Sequence, residues 1–245
     1  MSNIQITFDF ERLRCFDEAD GLGRAEPYLW TIFFKIDGLT IFINTKNPAN
    51  PFIQGTPLVV PNFLNHNDLG KPEWDAGDDA ALPKTVSEFG TLLHPIKLTP
   101  PLNGIASVDG IMGCIAVLLE EDSSSDSDVA NSHNALNSLI GTKLSKLLST
   151  VDVSVPEKIQ AKFNAMATQI KPVIQSAINE SIAGATWLGG LTGDDFIGNA
   201  ILQFSTSGLK NHILSTGGTD QIFLHRFKND EGDWEIQSRI KAAIL

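Results

Sequence analysis

Residues 20 to 28 read Asp20-Gly21-Leu22-Gly23-Arg24-Ala25-Glu26-Pro27-Tyr28, and an apolar run from Leu29 to Ile36 follows at once. Asp-x-x-Gly is turn chemistry, since Asp bonds its own backbone and Gly supplies unusual backbone angles. Pro27 suits the first residue of a strand. The stretch therefore places two carboxylates, Asp20 and Glu26, in a loop that borders a strand. Hard divalent cations need several oxygen ligands converging on one point. One acidic loop is rarely enough, so partners must come from elsewhere in the chain.

Two later stretches have the right character. Val117-Leu118-Leu119-Glu120-Glu121-Asp122 runs from an apolar strand into acids, and Asp194-Asp195-Phe196-Ile197-Gly198 leads from acids into a strand. Between Asp122 and Asp195 lie 72 residues of different period. Leu136, Ile140, Leu144 and Leu147/Leu148 recur every three to four residues, which is one face of a helix. Ser154-Val155-Pro156-Glu157 is a helix-start signature, with a capping hydroxyl and proline in the first turn. Ile159, Phe163, Met166, Ile170, Ile174, Ile178 and Ile182 continue the stripe, with Pro172 predicting a kink. Two helices, over roughly 129–150 and 156–183, form an antiparallel hairpin by this reading.

The rest reads as strands. Ile4, Ile6, Phe8 and Phe10 alternate onto one face. Asp37-Gly38, between Leu29–Ile36 and Leu39–Ile43, predicts a tight β-hairpin. Nine of the twelve prolines lie between Pro48 and Pro101, which predicts loops and short edge strands there. Gly110 to Leu119 and Phe196 to Phe204 are strand-like. Gln221–Phe227 and Trp234–Ile240 flank a polar turn at 228–233. The layout is mainly β: an antiparallel β-sandwich over 1–245, with a two-helix hairpin inserted at about 126–185.

Composition bounds the partners. The net charge of −11 argues against nucleic acid, whose phosphates are bound by Lys and Arg. No apolar run reaches the length of a spanning helix, and the first ten residues have no secretory pattern. The expected location is cytoplasmic, peripheral to a membrane. Cys15 and Cys114 read as two buried thiols rather than a disulfide framework. No zinc spacing, nucleophile elbow or phosphate-cradling loop is present, so the chain reads as no enzyme.

The Asp20–Tyr28 stretch resembles the first calcium loop of the C2 calcium/lipid-binding domain family, which shows Asp-x-x-Gly-x-Ser-Asp-Pro-Tyr at this point. The Glu120–Asp122 and Asp195–Gly198 stretches are similar to the two halves of that family's third loop. The resemblance implies a C2-like sandwich and calcium held by Asp20, Glu26, Glu120, Asp122 and Asp195, with Asp17, Glu18 and Asp194 as neighbours. It further implies docking on anionic lipid or a protein partner. Glu replaces the family's Asp at 26 and 120, and the family's Asn-Pro-x-Trp pattern is absent. Leu22 and Trp187 flank the acids as candidate membrane contacts, and packing under the helices is the favoured reading for Trp187. The hairpin has two readings as well: an oligomerising or membrane-active arm on a scaffold subunit, or a layer packed on the sandwich.

Overall fold

In the computed structural model, residues 2–19, 24–62, 69–121, 124–183 and 194–245 are described. Strand outweighs helix, 47% to 30%. The first half runs β1 (Ile4–Asp17), β2 (Pro27–Ile36), β3 (Ile41–Asn44), β4 (Phe52–Gly55), β5 (Leu58–Asn62) and β6 (Asp79–Ala81). A single turn, α1 (Lys84–Ser87), leads into β7 (Glu88–Leu93), β8 (Ile96–Leu102), β9 (Ile105–Val108) and β10 (Ile111–Glu120). Then come α2 (Asp126–Ser149), α3 (Ile159–Ala183), β11 (Asp195–Ser205), α4 (Thr206–Thr216), β12 (Asp220–Asn229) and β13 (Gly232–Ile244).

Two sheets form the sandwich. One is ordered β12-β13-β1, with β6 and β7 sharing successive lengths of the outer edge of β1. The other is ordered β11-β10-β2-β5. All pairings in these two sheets are antiparallel. Ile4, Ile6, Phe8 and Phe10 face inward as the alternation predicts. Beyond Phe10 the inward positions move to Leu13 and Cys15, a phase change permitted by a bulge between Phe10 and Arg12. At the β12–β13 turn, Gly232 has φ of 110°, and a Cβ there would meet the Asp17 carbonyl oxygen at 2.2 Å. Only glycine fits that turn.

The second sheet is covered on both faces. Every residue of β2 and of β10 is buried. Leu29, Phe33, Met112, Cys114 and Leu118 face the first sheet. Trp30, Ile32, Phe34, Ile115 and Val117 face the other way, against Leu136, Ile140, Leu144, Phe163, Ile170 and Ile174 of the helices. The helical stripe is thus consumed by the sheet, and the hairpin is a third layer rather than a projecting arm. Each large apolar side chain so covered contributes about 1.5–3 kcal/mol. Ser125 caps α2 by accepting from the Asp128 amide at 3.3 Å. The second helix begins later than expected: Pro156–Lys158 form a 3₁₀ turn, and α3 starts at Ile159.

The expected hairpin at Asp37-Gly38 does not form. β3 pairs with β4 and, in parallel, with β8, so it belongs to a separate small sheet ordered β4-β3-β8-β9. Burial of Asp37 explains the departure. Its carboxylate accepts from the backbone amides of Leu39 (3.1 Å) and His94 (3.0 Å) and pairs with buried Lys35 at 3.1 Å. A Cβ on Gly38 would lie 2.2 Å from the Pro95 carbonyl oxygen. Asp-Gly here steers the chain out of one sheet into another. The proline-rich region does consist of short strands and loops. Helix α4, capped by Ser205 and ended by a left-handed Gly217, fills a segment for which the sequence reading gave no element.

Candidate functional site

Strand register brings the acidic stretches to one end of the second sheet. Glu120, the last residue of β10, sits opposite Pro27 on one side and Asp195 on the other. Just beyond, the Glu121 amide donates to the Glu26 carbonyl oxygen at 3.1 Å. The two flanks of the helical hairpin are therefore neighbouring strand ends, although 72 residues separate Asp122 from Asp195 in sequence. Of the predicted ligands, Glu120 is buried, Glu26 is half-buried and Asp195 is exposed. Asp20, Asp122, Leu22 and Trp187 lie outside the described residues.

Asp194 has a role the sequence did not assign. Its carboxylate accepts from the Tyr28 hydroxyl at 2.9 Å and from the Ser124 amide at 3.1 Å. One side chain thereby ties the start of β2, the entry to α2 and the entry to β11. Burial of the Tyr28 ring, together with the adjacent Asp194 carboxylate, holds the phenol well above its ordinary pKa. Tyr28 belongs to the quoted Glu-Pro-Tyr motif, so the signal was present, but its hydroxyl was given no partner.

The neighbouring acids come from the first sheet and its loops. Asp17 pairs in register with Asp233 and accepts from the Ala19 amide at 3.3 Å. Asp233 is neutralised by Arg226, at 2.6 and 2.8 Å, and by Lys228 at 3.3 Å. The Arg226 bond, aided by Lys228, holds the Asp233 carboxyl down to about 2. Glu18 is half-buried, and its Oε2 is enclosed with no hydrogen-bond partner among the described residues. That orphaned oxygen suits a seat for a cation or a donor, and an all-carboxylate donor set suits a hard cation. Among the described residues, no three His, Cys, Asp or Glu side chains converge where they could hold a metal ion. A full set would need the loop residues Asp20 and Asp122.

Part of the proline-rich region pairs with Arg24 and Ala25, at the described end of the first acidic stretch. Ala25 and Trp74 exchange backbone hydrogen bonds at 3.1 and 2.8 Å, and the Trp74 ring is fully buried. Arg24 pairs with Glu73 at 2.9 Å and Asp75 at 3.3 Å. The acids of this segment are thus partly spent on local cations.

Comparison with known proteins adds little. No known family model matches the chain, and no curated protein matches it. Among solved structures, the chain is similar to human GIVD cytosolic phospholipase A2 in complex with methyl gamma-linolenyl fluorophosphonate inhibitor and terbium chloride, at 10% identity and a TM-score of 0.32. That match covers 100% of this chain and 18% of the other. A second structure of human GIVD cytosolic phospholipase A2 matches at 11% identity and a TM-score of 0.31, over 100% of this chain and 17% of the other. The chain thus spans less than a fifth of the proteins it resembles. A likeness this slight carries no argument about function.

Both cysteines are free and buried, as the sequence implied. Burial, with Glu18 adding to it, pushes the Cys15 thiol up to about 12, and burial alone raises Cys114 well above its ordinary value. Neither is a reactive thiolate at neutral pH. A concavity of about 650 Å³, lined by Asn3, Gly38, His94, Lys97 and Thr99, lies at the opposite end of the strands. Among the described residues, no helix is long and apolar enough to cross a membrane.

Proposed function

We propose that the chain is a non-enzymatic, C2-like binding module whose acidic end takes calcium and then docks on anionic lipid at a cytoplasmic membrane surface. The observation that carries this reading is the position of Glu120 between Pro27 and Asp195. It sets the ends of β2, β10 and β11 side by side, which supports reading their acidic flanks as parts of one site. Calcium would be held by Glu26, Glu120 and Asp195 together with Asp20 and Asp122. Carboxylates left unneutralised repel an anionic surface, so a bound cation both removes that repulsion and supplies a bridge to phosphate.

Vesicle co-sedimentation tests it. The chain is mixed with vesicles containing phosphatidylserine at physiological salt, with calcium or with a chelator. Binding that rises at least about tenfold on adding calcium is expected, and Asp20→Asn together with Asp195→Asn should abolish the rise. Equal binding in calcium and in chelator overturns the reading.

A further inference from the structure

An edge strand offers a row of unpaired amides and carbonyls to another chain, and stable monomers blunt such edges with prolines, bulges, short strands or covers. Most edges here are blunted in these ways. β5 carries Pro61, and β4, β6 and β9 have four residues or fewer. β7 is interrupted by Gly90. β11 bulges at Ile197, and α3 is tied against it by reciprocal Gln175–Asn199 hydrogen bonds at 2.9 and 3.1 Å.

β12 is different. It runs for ten residues without proline or glycine and without a break in its register against β13. Among the described residues, no strand pairs with its other side. Phe223 and Phe227 turn inward to the core. The outer row reads Asp220, Ile222, Leu224, Arg226, and it leaves Ile222 50% and Leu224 57% exposed. Two large apolar side chains thus stand uncovered in the middle of an open edge.

Run antiparallel against a second copy of itself, this row is self-complementary. With Phe223 opposite Phe223 of the other copy, Ile222 meets Leu224 and Asp220 meets Arg226, each pair occurring twice. On the inner row, Gln221 falls opposite His225. Opposed apolar and opposite-charge pairs are the pairs that stabilise a ladder. A shift of the centre to Leu224 sets Ile222 against Arg226, and a shift to Ile222 sets Leu224 against Asp220. The charged ends remain available. Arg226 uses Nε and Nη2 on Asp233, and a guanidinium has further donors for an Asp220 of the other copy. Net charge does not forbid the contact, because residues 220–244 hold five carboxylates against four Lys and Arg. Charges elsewhere are screened over about 8 Å at physiological salt.

We propose that the chain forms a two-fold dimer by antiparallel pairing of β12 with β12 of a second copy, centred on Phe223, which joins two outer sheets into one. Charge complementarity selects the second copy. A foreign strand could use the same main-chain groups, but the order Asp-x-Ile-x-Leu-x-Arg answers itself. The contact is isologous and therefore closes at two copies. It involves only the residues around one strand, so it belongs with the small, weak interfaces. It does not depend on the calcium reading.

Sedimentation velocity of the full chain in chelator, from about 1 to about 300 µM, spans the range expected of such an interface. A reversible shift from monomer to dimer is expected. Leu224→Lys puts a charge on a side chain that is exposed in the monomer, so circular dichroism should match wild type while dimerisation weakens at least about tenfold. Cross-linking reads the register independently. Opposed residues have Cα atoms about 4.5–5.5 Å apart, within disulfide reach, whereas diagonal ones at about 7–8 Å are not. Under mild oxidation, a mixture of Ile222→Cys and Leu224→Cys chains should form a disulfide dimer several-fold faster than either variant alone. Cys15 and Cys114 are buried and should not contribute. A monomer throughout the range overturns the proposal, as does a dimer indifferent to Leu224→Lys. Self-cross-linking of either single variant as fast as the mixture also overturns it.

Discussion

The central sheet β11-β10-β2-β5 is covered by strands on one face and by helices on the other, and the two covers differ in how they were written into the sequence. The strand cover is announced residue by residue, because Ile4, Ile6, Phe8 and Phe10 alternate with polar neighbours. The helical cover is announced by its own period, Leu136-Ile140-Leu144 and Ile159-Phe163-Ile170-Ile174. What neither cover announces is that they share one sheet. That information sits in β2 and β10, which do not alternate at all because both faces are dry. A strand with no polar face is the mark of a middle layer.

The largest effects should come from breaking each cover in turn. Phe33 packs toward the strands and Phe163 belongs to the helical cover, both with almost no exposure. Phe33→Ala and Phe163→Ala should each cost about 3–5 kcal/mol in urea unfolding. Because β2 and β10 belong to both cores, each variant should still unfold in one cooperative step. Separate transitions for helix and strand signals would show that the covers are independent.

Acid sharpens the same contrast. On the helical side, His133 is buried and stacks on Trp30 at 5.5 Å. Burial lowers its pKa to about 4, against a backbone hydrogen bond at Thr31 that acts the other way. The unfolded chain takes up that proton near pH 6.5, the folded chain only near 4, so stability is lost as pH falls through this window. The loss amounts to about 3 kcal/mol. Unfolding followed from pH 7 to pH 4 should show it, and His133→Phe, which keeps a ring over Trp30, should flatten that part of the profile. A slope unchanged in the variant would assign the acid sensitivity to other groups.

A smaller effect belongs to the clamp that ties the central sheet to the start of the helical cover at the acidic end. Tyr28→Phe deletes the hydroxyl that bonds Asp194 and should cost about 2 kcal/mol. Smallest of all is the exposed pair between the two helices. Glu180→Gln should leave the unfolding midpoint unchanged, since surface ion pairs contribute little.

Much of this architecture was legible, and the failures have physical causes. The helical hairpin was found because its stripe is buried along most of both helices. α4 was missed because it has only eleven residues and buries little beyond Thr206 and Leu209, although Ser205 and Gly217 bracket it with cap chemistry. The Asp37-Gly38 turn was misread because local chemistry permits a hairpin, whereas the buried Lys35 and the His94 amide decide where Asp37 points. At the acidic end, sequence order located Glu26, Glu120 and Asp195 at neighbouring strand ends. It did not show that Asp194 bonds Tyr28 and Ser124, since such contacts depend on register across three elements.

The proposal under test is that the acidic flanks brought together by strand pairing across the hairpin bind calcium. Calorimetric titration of the full chain with calcium tests it most directly. Saturable binding at or below millimolar calcium is predicted, lost in Asp20→Asn with Asp195→Asn while the fold is retained. No heat of binding in wild type at millimolar calcium, or binding unaltered in that variant, would contradict it.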